Sequence, residues 1–264
     1  MPSVRFDPTF SVRQRNWLLV AAGALVLGSW WAGPIRPLWE ALDQGFFEIS
    51  NPLLGANRLW DGFWALTNHR SFDLVAALTM AAIFFQSGRT TALPSGRSAW
   101  SAVLIQALIG TLLGLGTKAL VSAWLDVDRL SPTLLDPNSQ RLSQLVDWIR
   151  AKDASKHCFP SDHGLVLFTL TLVGWPILKP WARIAACWGC VFFALPRLMS
   201  GAHWISDILA GSLPMAMIAV GLYRGLGLSQ LIDRRVAPIV ENGFRSVVPG
   251  PLRNRLDHYH RASL

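Results

Sequence analysis

The chain has 264 residues and a formal net charge of +8, yet only 15% of its residues are charged and 52% are hydrophobic. Disordered chains are rich in charge, and soluble domains carry about 25% charged residues, so this composition excludes a disordered chain and argues against an ordinary soluble domain. The 13 Trp residues indicate a membrane protein with aromatic residues at the bilayer interfaces. The basic residues are scattered through apolar segments, which argues against nucleic-acid binding.

Six apolar segments follow one another along the chain. Several are shorter than the ~20 residues that cross a bilayer, so flanking aromatic residues or local thinning of the bilayer must complete them. Lipid requires every backbone polar group to be satisfied, and the segments lack the two-residue alternation of barrel strands. We therefore predict an all-α integral membrane protein, a six-transmembrane helical bundle. The segments comprise residues 17–33, 72–86, 99–125, 164–178, 184–195 and 205–226.

The first apolar segment resembles a signal peptide but ends on Trp30 and Trp31, where signal cleavage needs small residues. We predict that it is retained. The predicted inside segments hold fourteen of the 24 basic residues, which places both termini in the cytoplasm. Residues 37–43 suit an amphipathic helix at the interface. A membrane domain of residues 1–226 would thus precede a basic cytoplasmic tail of residues 227–264.

A first polar stretch precedes the fourth apolar segment. It contains Pro160, Ser161, Asp162 and His163, and Ser or Asp after Pro is a signal for a helix start. The N–H groups of a helix start form an anion site, and a His in the first turn can donate to a phosphate oxygen. The stretch therefore predicts a phosphate-binding helix terminus, with Ser161 or Asp162 as the cap.

A second polar stretch lies between the fifth and sixth segments and contains Arg197, His203 and Asp207. Residues four apart share a helix face, so the Asp207 carboxylate can fix the tautomer of His203 and raise the basicity of its other nitrogen. Such an oriented imidazole is a nucleophile, and the planar guanidinium of Arg197 suits phosphate oxygens.

A third polar stretch follows the third segment, with Lys118 inside the segment and Arg129 after it. An ionisable residue at membrane depth indicates function, although Lys118 can also extend its amine to the interface. The predicted topology brings all these residues to the outer ends of the helices. Two His, two Arg and a helix N-terminus describe a phosphoryl-transfer pocket without a metal. A metal site of His157, Cys158, His163 and His203 is the alternative, but its spacing matches no zinc pattern.

At these residues the chain resembles the type 2 phosphatidic acid phosphatase superfamily. The family patterns are Lys-x6-Arg-Pro, Pro-Ser-Gly-His and Ser-Arg-x5-His-x3-Asp. The third is present as Arg197-x5-His203-x3-Asp207 after Pro196, and the second as residues 160–163 with Asp162 in place of Gly. The first is incomplete, because Ser122 stands at the Lys position and Pro132 comes three residues after Arg129.

Further stretches resemble one subfamily, the bacterial lipid A phosphotransferases. They include residues 65–73, with Asn68, Arg70 and Asp73, and residues 129–133, 152–155 and 196–204. The resemblance implies transfer of a phosphoryl group from undecaprenyl diphosphate to the 1-phosphate of lipid A, without a cofactor. It also implies the periplasmic face of a Gram-negative inner membrane as the location. Asn68, Arg70 and Asp73 suit either head-group contact or loop structure.

The resemblance also assigns roles. His203 would be the nucleophile, Asp207 would orient it, and His163 would be the general acid. Ser161 and both arginines would hold the phosphoryl group, with Lys118, Lys152 or Lys156 replacing the missing motif lysine. Two alternatives stay open: a phosphatase in which water attacks the same intermediate, and a non-catalytic scaffold or transporter. Helix pairs broken by Gly or Pro in matching halves of the chain would support the scaffold or transporter, and the sequence shows no such pair.

Overall fold

The computed structural model describes residues 8–31, 33–89, 99–124, 127 and 129–247. All regular secondary structure within these residues is helical, which confirms the predicted all-α class. Short 3₁₀ turns extend α2 and α8 at Asn51–Leu53 and Trp175–Ile177, and a π-helical segment, Asp207–Ser212, leads into α10. The α-helices are α1 (Pro8–Trp31), α2 (Arg36–Ser50), α3 (Arg58–Thr67), α4 (Arg70–Arg89), α5 (Ala99–Trp124), α6 (Pro132–Leu135), α7 (Leu142–Leu145), α8 (Asp162–Gly174), α9 (Pro180–Met199), α10 (Leu213–Gly225), α11 (Leu228–Arg235) and α12 (Ala237–Val247).

Each of the six predicted apolar segments corresponds to a helix, but only four helical segments in the described residues are long and apolar enough to cross a membrane by themselves. The first segment qualifies only as the bent pair Val12–Trp31 and Arg36–Leu53, whose axes differ by 78°. The fourth segment, Asp162–Ile177, is a shorter apolar helix. The four spanning segments are Arg70–Gly88, Ser101–Val121, Pro180–Met199 and Asp207–Gly225.

Glycines allow close crossings between these helices. A Cβ on Gly221 of α10 would lie 2.8 Å from the backbone oxygen of Asn16 in α1, and one on Gly23 would lie 2.7 Å from the Pro214 oxygen. A Cβ on Gly110 of α5 would likewise meet Leu170 of α8 at 2.6 Å. Small residues at such crossings let helix backbones approach in lipid, where van der Waals packing drives association.

The segment after residue 226, predicted as a cytoplasmic tail, forms two helices within the described residues. Gly227 adopts φ +79°, which turns the chain after α10. The helices α11 and α12 follow, and α12 packs against α5. Ala237 is buried in a core cluster with Ile105 and Val220. Within the described residues, the predicted tail therefore contributes helices to the bundle as far as residue 247.

The polar residues of interest collect at one end of the bundle. α4, α8 and the π-helical segment begin there, whereas α9 ends there. Residues 127–161, apart from residue 128, form the covering connection with the short helices α6 and α7. Alternating chain directions thus bring together residues that are far apart in the sequence.

Candidate active site

His203 lies in the sharp connection between α9 and the π-helical segment and is only 4% exposed. Its Nδ1 lies 2.8 Å from the backbone oxygen of Cys158. A carbonyl oxygen only accepts hydrogen bonds, so Nδ1 carries the proton and Nε2 keeps its lone pair. The Asp207 Oδ2 atom is 3.4 Å from Nδ1 and adds a negative charge beside the ring. The arrangement holds one tautomer of His203, the one whose Nε2 can act as a nucleophile.

His203 and Asp207 do not share a helix face as the spacing predicts. Gly201 adopts φ +68°, a conformation that favours glycine, and the helix resumes only at Ile205. His203 therefore stands before the helix, and its backbone N–H donates to the Arg197 carbonyl at 3.2 Å. The carboxylate still approaches the ring because the turn folds back over the helix start.

Asp207 is fully buried at the start of the π-helical segment. Its Oδ2 accepts from the backbone N–H of Trp204 at 2.8 Å, and its Oδ1 lies 2.5 Å from Nη1 of Arg129. A carboxylate held from both sides is fixed in position before any substrate binds. The contact from Arg129 also supplies the counter-charge that a buried carboxylate requires.

Asp43 is a member of the site that the sequence analysis missed. It lies in α2, is 3% exposed, and its Oδ2 is 2.6 Å from both Nη2 of Arg129 and Oγ of Ser206. Burial opposes the charge of Arg129, but the carboxylates of Asp207 and Asp43 outweigh it, and the pKa of Arg129 is raised. The guanidinium also lies over the rings of Trp30 and Trp204. Arg129 therefore ties α2 to the turn that carries His203. A guanidinium has five N–H donors, so a predicted phosphate contact would use those that remain.

His163, Arg197 and Asp73 form a second group at the starts of α8 and α4 and the end of α9. Nε2 of His163 lies 2.6 Å from Oδ1 of Asp73 and 2.8 Å from Nη2 of Arg197. A carboxylate only accepts hydrogen bonds and a guanidinium only donates them, so both protonation states of Nε2 have a partner. This is the environment that a general acid needs when it must release a proton and regain it.

Arg197 is buried, with a side-chain exposure of 3%. Its Nη1 donates to the backbone oxygen of Asn68 at 2.8 Å and also to Oδ1 of Asn68. Nδ2 of Asn68 donates in turn to the Lys152 carbonyl at 2.7 Å. The sequence left the roles of Asn68, Arg70 and Asp73 open. In the structure Asn68 is buried and positions Arg197, whereas Asp73 contacts His163 directly.

Ser161 occupies the N-cap position of α8, as expected, but its side chain makes no capping hydrogen bond. Its Oγ is buried and has no hydrogen-bond partner among the described residues. A buried hydroxyl without a partner is costly, so a ligand oxygen is a natural partner for it. The Ser161 backbone N–H donates to the Asp207 carbonyl at 3.2 Å, which joins the two halves of the site.

Lys118 and Asp162 form an ion pair of 2.6 Å, with side chains 44% and 47% exposed. This contact accounts for the acidic residue at the motif's Gly position: Asp162 takes a lysine as its partner. Lys152 lies within electrostatic range of this ion pair. Burial and the positive charges of Arg197 and Lys118 lower its pKa, and Asp162 partly opposes them. Two of the three lysines considered for the missing motif lysine are therefore near Asp162, while the side chain of Ser122 lies outside the described part of the structure.

Two cavities adjoin this group. An apolar groove of about 250 Å³ runs between α4, α8 and α9 and has Asp73, His163 and Arg197 at its polar end. A second cavity of about 390 Å³ lies on the α5 side and is lined by Lys118, His157 and Asp162 together with apolar residues. Asp162 lines both cavities, and His163, the next residue, lines the first.

No group of three or more His, Cys, Asp or Glu side chains in the described residues is arranged to hold a metal ion. The metal alternative of His157, Cys158, His163 and His203 therefore has no geometric support there. Burial and the nearby Asp207 raise the pKa of Cys158, so its thiol stays protonated beside His203. All three cysteines are free.

Comparison with known proteins agrees with this geometry. The profile of the PAP2 superfamily matches residues 115–229, a range that includes every predicted catalytic residue. The chain is 32% identical over 219 residues to a protein of Escherichia coli (strain K12) named lipid A 1-diphosphate synthase, covering 83% of this chain and 89% of that protein. No solved structure matches the chain. The chain therefore belongs to the PAP2 superfamily and is a membrane enzyme that acts on lipid phosphates.

Proposed function

We propose that this enzyme transfers a phosphoryl group from undecaprenyl diphosphate to the 1-phosphate of lipid A through a phosphohistidine at His203. The observation that carries the proposal is the hydrogen bond from Nδ1 of His203 to the Cys158 carbonyl, which leaves Nε2 with its lone pair. The name of the 32% identical relative supports lipid A as the acceptor. A phosphatase that releases inorganic phosphate from the same intermediate is the second candidate.

In the first half-reaction, Nε2 of His203 attacks the terminal phosphorus of the diphosphate. The bond from that phosphorus to the bridging oxygen breaks, and the leaving lipid monophosphate takes the proton from Nε2 of His163. Before transfer, Oδ1 of Asp73 accepts the hydrogen bond from this N–H. Arg197 then donates to the neutral ring at the same nitrogen, which stabilises the state after transfer.

The positive charges of Arg197 and Arg129 offset the charge of the transferring group, and the hydroxyl of Ser161 donates a hydrogen bond to it. The buried hydroxyl of Ser161 has no partner among the described residues and gains one from a phosphate oxygen. Catalysis of phosphoryl transfer depends mainly on positioning and on neutralising charge. Asp207 serves the positioning, since it is held by Arg129 and Trp204 and stays beside the ring of His203 throughout.

The direct test supplies the purified protein with undecaprenyl diphosphate, with and without lipid A, and follows inorganic phosphate and phosphorylated lipid A together. Transfer predicts a lipid product that forms at the expense of free phosphate. Phosphate release that ignores lipid A and yields no lipid product would refute the transferase and establish the phosphatase.

His203→Ala tests the intermediate, and we expect it to lower both activities by about 10³-fold or more. Glu40→Gln is the control, because the Glu40 side chain is 58% exposed and pairs with Arg36 on the same helix. Radiolabelled donor should leave a phosphorylated protein that is stable to base and labile to acid, and His203→Ala should not. Substantial residual turnover in His203→Ala would exclude this nucleophile.

We also propose six spans with both termini in the cytoplasm and the site at the periplasmic face of the inner membrane. The four long apolar helices and the positive charge of the inside segments support this topology. Single reporter cysteines at exposed Arg150 and Gln230, in a background without native cysteines, provide the test. An impermeant thiol reagent should label only the first in intact cells, and the reverse pattern would invert the topology.

A further inference from the structure

The second cavity, on the α5 side of the site, has no assigned role in the proposed reaction. It is lined by Lys118, Val121, Val127, His157, Phe159, Pro160 and Asp162 and has a volume of about 390 Å³. Its charged and polar lining residues come from α5, from the connection before α8 and from the first residue of α8. The apolar groove on the other side of His163 is a different space, lined by residues of α4, α8 and α9.

A transferase has to bind a second phosphorylated lipid after the first has left the phosphohistidine, whereas a phosphatase admits only water in its place. The apolar groove suits the chain of the donor, because its polar end presents His163 and Arg197 to a phosphate. The second, polar cavity shares Asp162 with that groove and so lies next to His163, which lines the groove. An oxygen that displaces Nε2 of His203 must attack in line with that nitrogen, from the side that the donor's leaving group vacates, and His163 is the proposed acid on that side.

The ion pair between Lys118 and Asp162 gives this cavity its phosphate chemistry. Both side chains are nearly half exposed, so their pairing is weak enough to be exchanged for a phosphate ligand. The Lys118 amine is a compact charge that binds phosphate oxygens. Lys152 lies within electrostatic range of Asp162 and can neutralise the carboxylate when Lys118 turns to a ligand.

We propose that this polar cavity is the acceptor subsite and takes the phosphate monoester of the second lipid, with Lys118 as its counter-charge. The inference rests on the proposed function. A phosphate monoester is mostly a dianion above pH ~6, so its oxygen attacks without first losing a proton. The new bond joins this oxygen to phosphorus, the phosphorus–Nε2 bond of His203 breaks, and its electron pair returns to the ring.

The test measures transfer at varied lipid A and at varied undecaprenyl diphosphate, so that each KM is obtained separately. We expect Lys118→Gln to raise the KM for lipid A by about tenfold or more, the size of a lost charged hydrogen bond, with a change within about twofold in the KM for the donor. Lys118→Arg should restore most of the acceptor affinity. Arg150→Gln, which removes a positive charge from the same outer connection away from the cavity, is the control.

A second variant fills the space without changing charge. Val121→Phe should raise the KM for lipid A, whereas Leu120→Phe on the exposed side of the same helix should not. Thermal unfolding in detergent shows whether each variant is folded. Lipid A that lacks its 1-phosphate should neither accept phosphate nor compete, and inorganic phosphate should compete only weakly because it lacks the lipid.

The outcomes separate the two proposals. If the wild-type protein makes no phosphorylated lipid A, the proposed function fails and the acceptor subsite fails with it. If the wild type transfers but Lys118→Gln and Val121→Phe leave the KM for lipid A unchanged, only the subsite is wrong. An equal rise of both KM values in Lys118→Gln would assign Lys118 to the transferring phosphate instead and would also overturn the inference.

Discussion

Asp43→Asn changes the least expected member of the site. Asp43 accepts hydrogen bonds from Nη2 of Arg129 at 2.6 Å and from the backbone N–H and Oγ of Ser206 at 2.8 and 2.6 Å. The asparagine keeps the size of the side chain and one acceptor oxygen, but it removes the charge opposite Arg129. We expect a lower stability, because a buried guanidinium loses one of its two carboxylates.

The magnitude follows from these contacts. Hydrogen bonds to charged groups contribute about 1.5–3 kcal/mol each, and removing one partner of a buried ion pair costs about 3–5 kcal/mol. Arg129 keeps Asp207, so Asp43→Asn should cost about 2–3 kcal/mol of unfolding free energy, and Asp43→Ala should cost more. For a chain of this size that corresponds to a fall of roughly 5–10 °C in the unfolding temperature.

Thermal unfolding in detergent and turnover of undecaprenyl diphosphate are measured on the same preparations. Glu40→Gln is the matched control, because Glu40 lies on the same helix and pairs with Arg36 at an exposed position. Such exposed pairs contribute little to stability. An unfolding temperature for Asp43→Asn equal to that of Glu40→Gln would refute the role given to Asp43. Turnover should also fall, by about tenfold, because Arg129 then holds Asp207 less firmly.

Other changes test the remaining parts. Asp73→Asn should lower kcat by roughly 10- to 100-fold at nearly unchanged donor KM, since it removes the carboxylate that accepts the hydrogen bond of His163; a kcat equal to that of the wild type would contradict this. Inorganic phosphate should bind less tightly as the pH rises through the lowered pKa of Lys152, and Lys152→Arg, which stays charged, should remove that dependence in titrations. Gly221→Val should lower the unfolding temperature more than Gly116→Val, because a Cβ at Gly221 meets α1, whereas one at Gly116 meets no atom of the described residues within 4 Å. Activity should survive chelator, and a loss restored by one metal would reopen a metal mechanism.

Motif spacing predicted that three of the candidate site residues lie close together, and the structure places them so. Arg197, His203 and Asp207 are close in sequence, and the turn at Gly201 keeps them close in space. The same spacing suggested a shared helix face, and that was wrong, because the helix ends at Met199 and resumes at Ile205. Periodicity assumes an unbroken helix, and one glycine at positive φ removes that assumption.

Contacts between distant segments had no signature in the sequence. Asp43 and Ser206 are 163 residues apart, and Asp73 and His163 are 90 apart. In the sequence, Asp43 is one acid on the polar side of a predicted amphipathic helix. It becomes buried only because α2 packs over the turn that carries His203 and Ser206. Lys118 was predicted as a phosphate ligand or an interfacial lysine, and the fold gives it Asp162 as a partner.

The sequence by itself determined that this is a helical membrane protein and which short stretches carry the family motifs. Both properties are local: apolar runs demand helices in lipid, and motifs concentrate reactive residues within a turn or two. The tertiary structure alone decided how the charges pair, that His203 receives its orienting bond from the Cys158 carbonyl, and that two cavities meet at Asp162. These features depend on how the helices cross. The net charge of +8 and the local sequence patterns do not show which acid contacts which base, because those contacts form only when the helices pack.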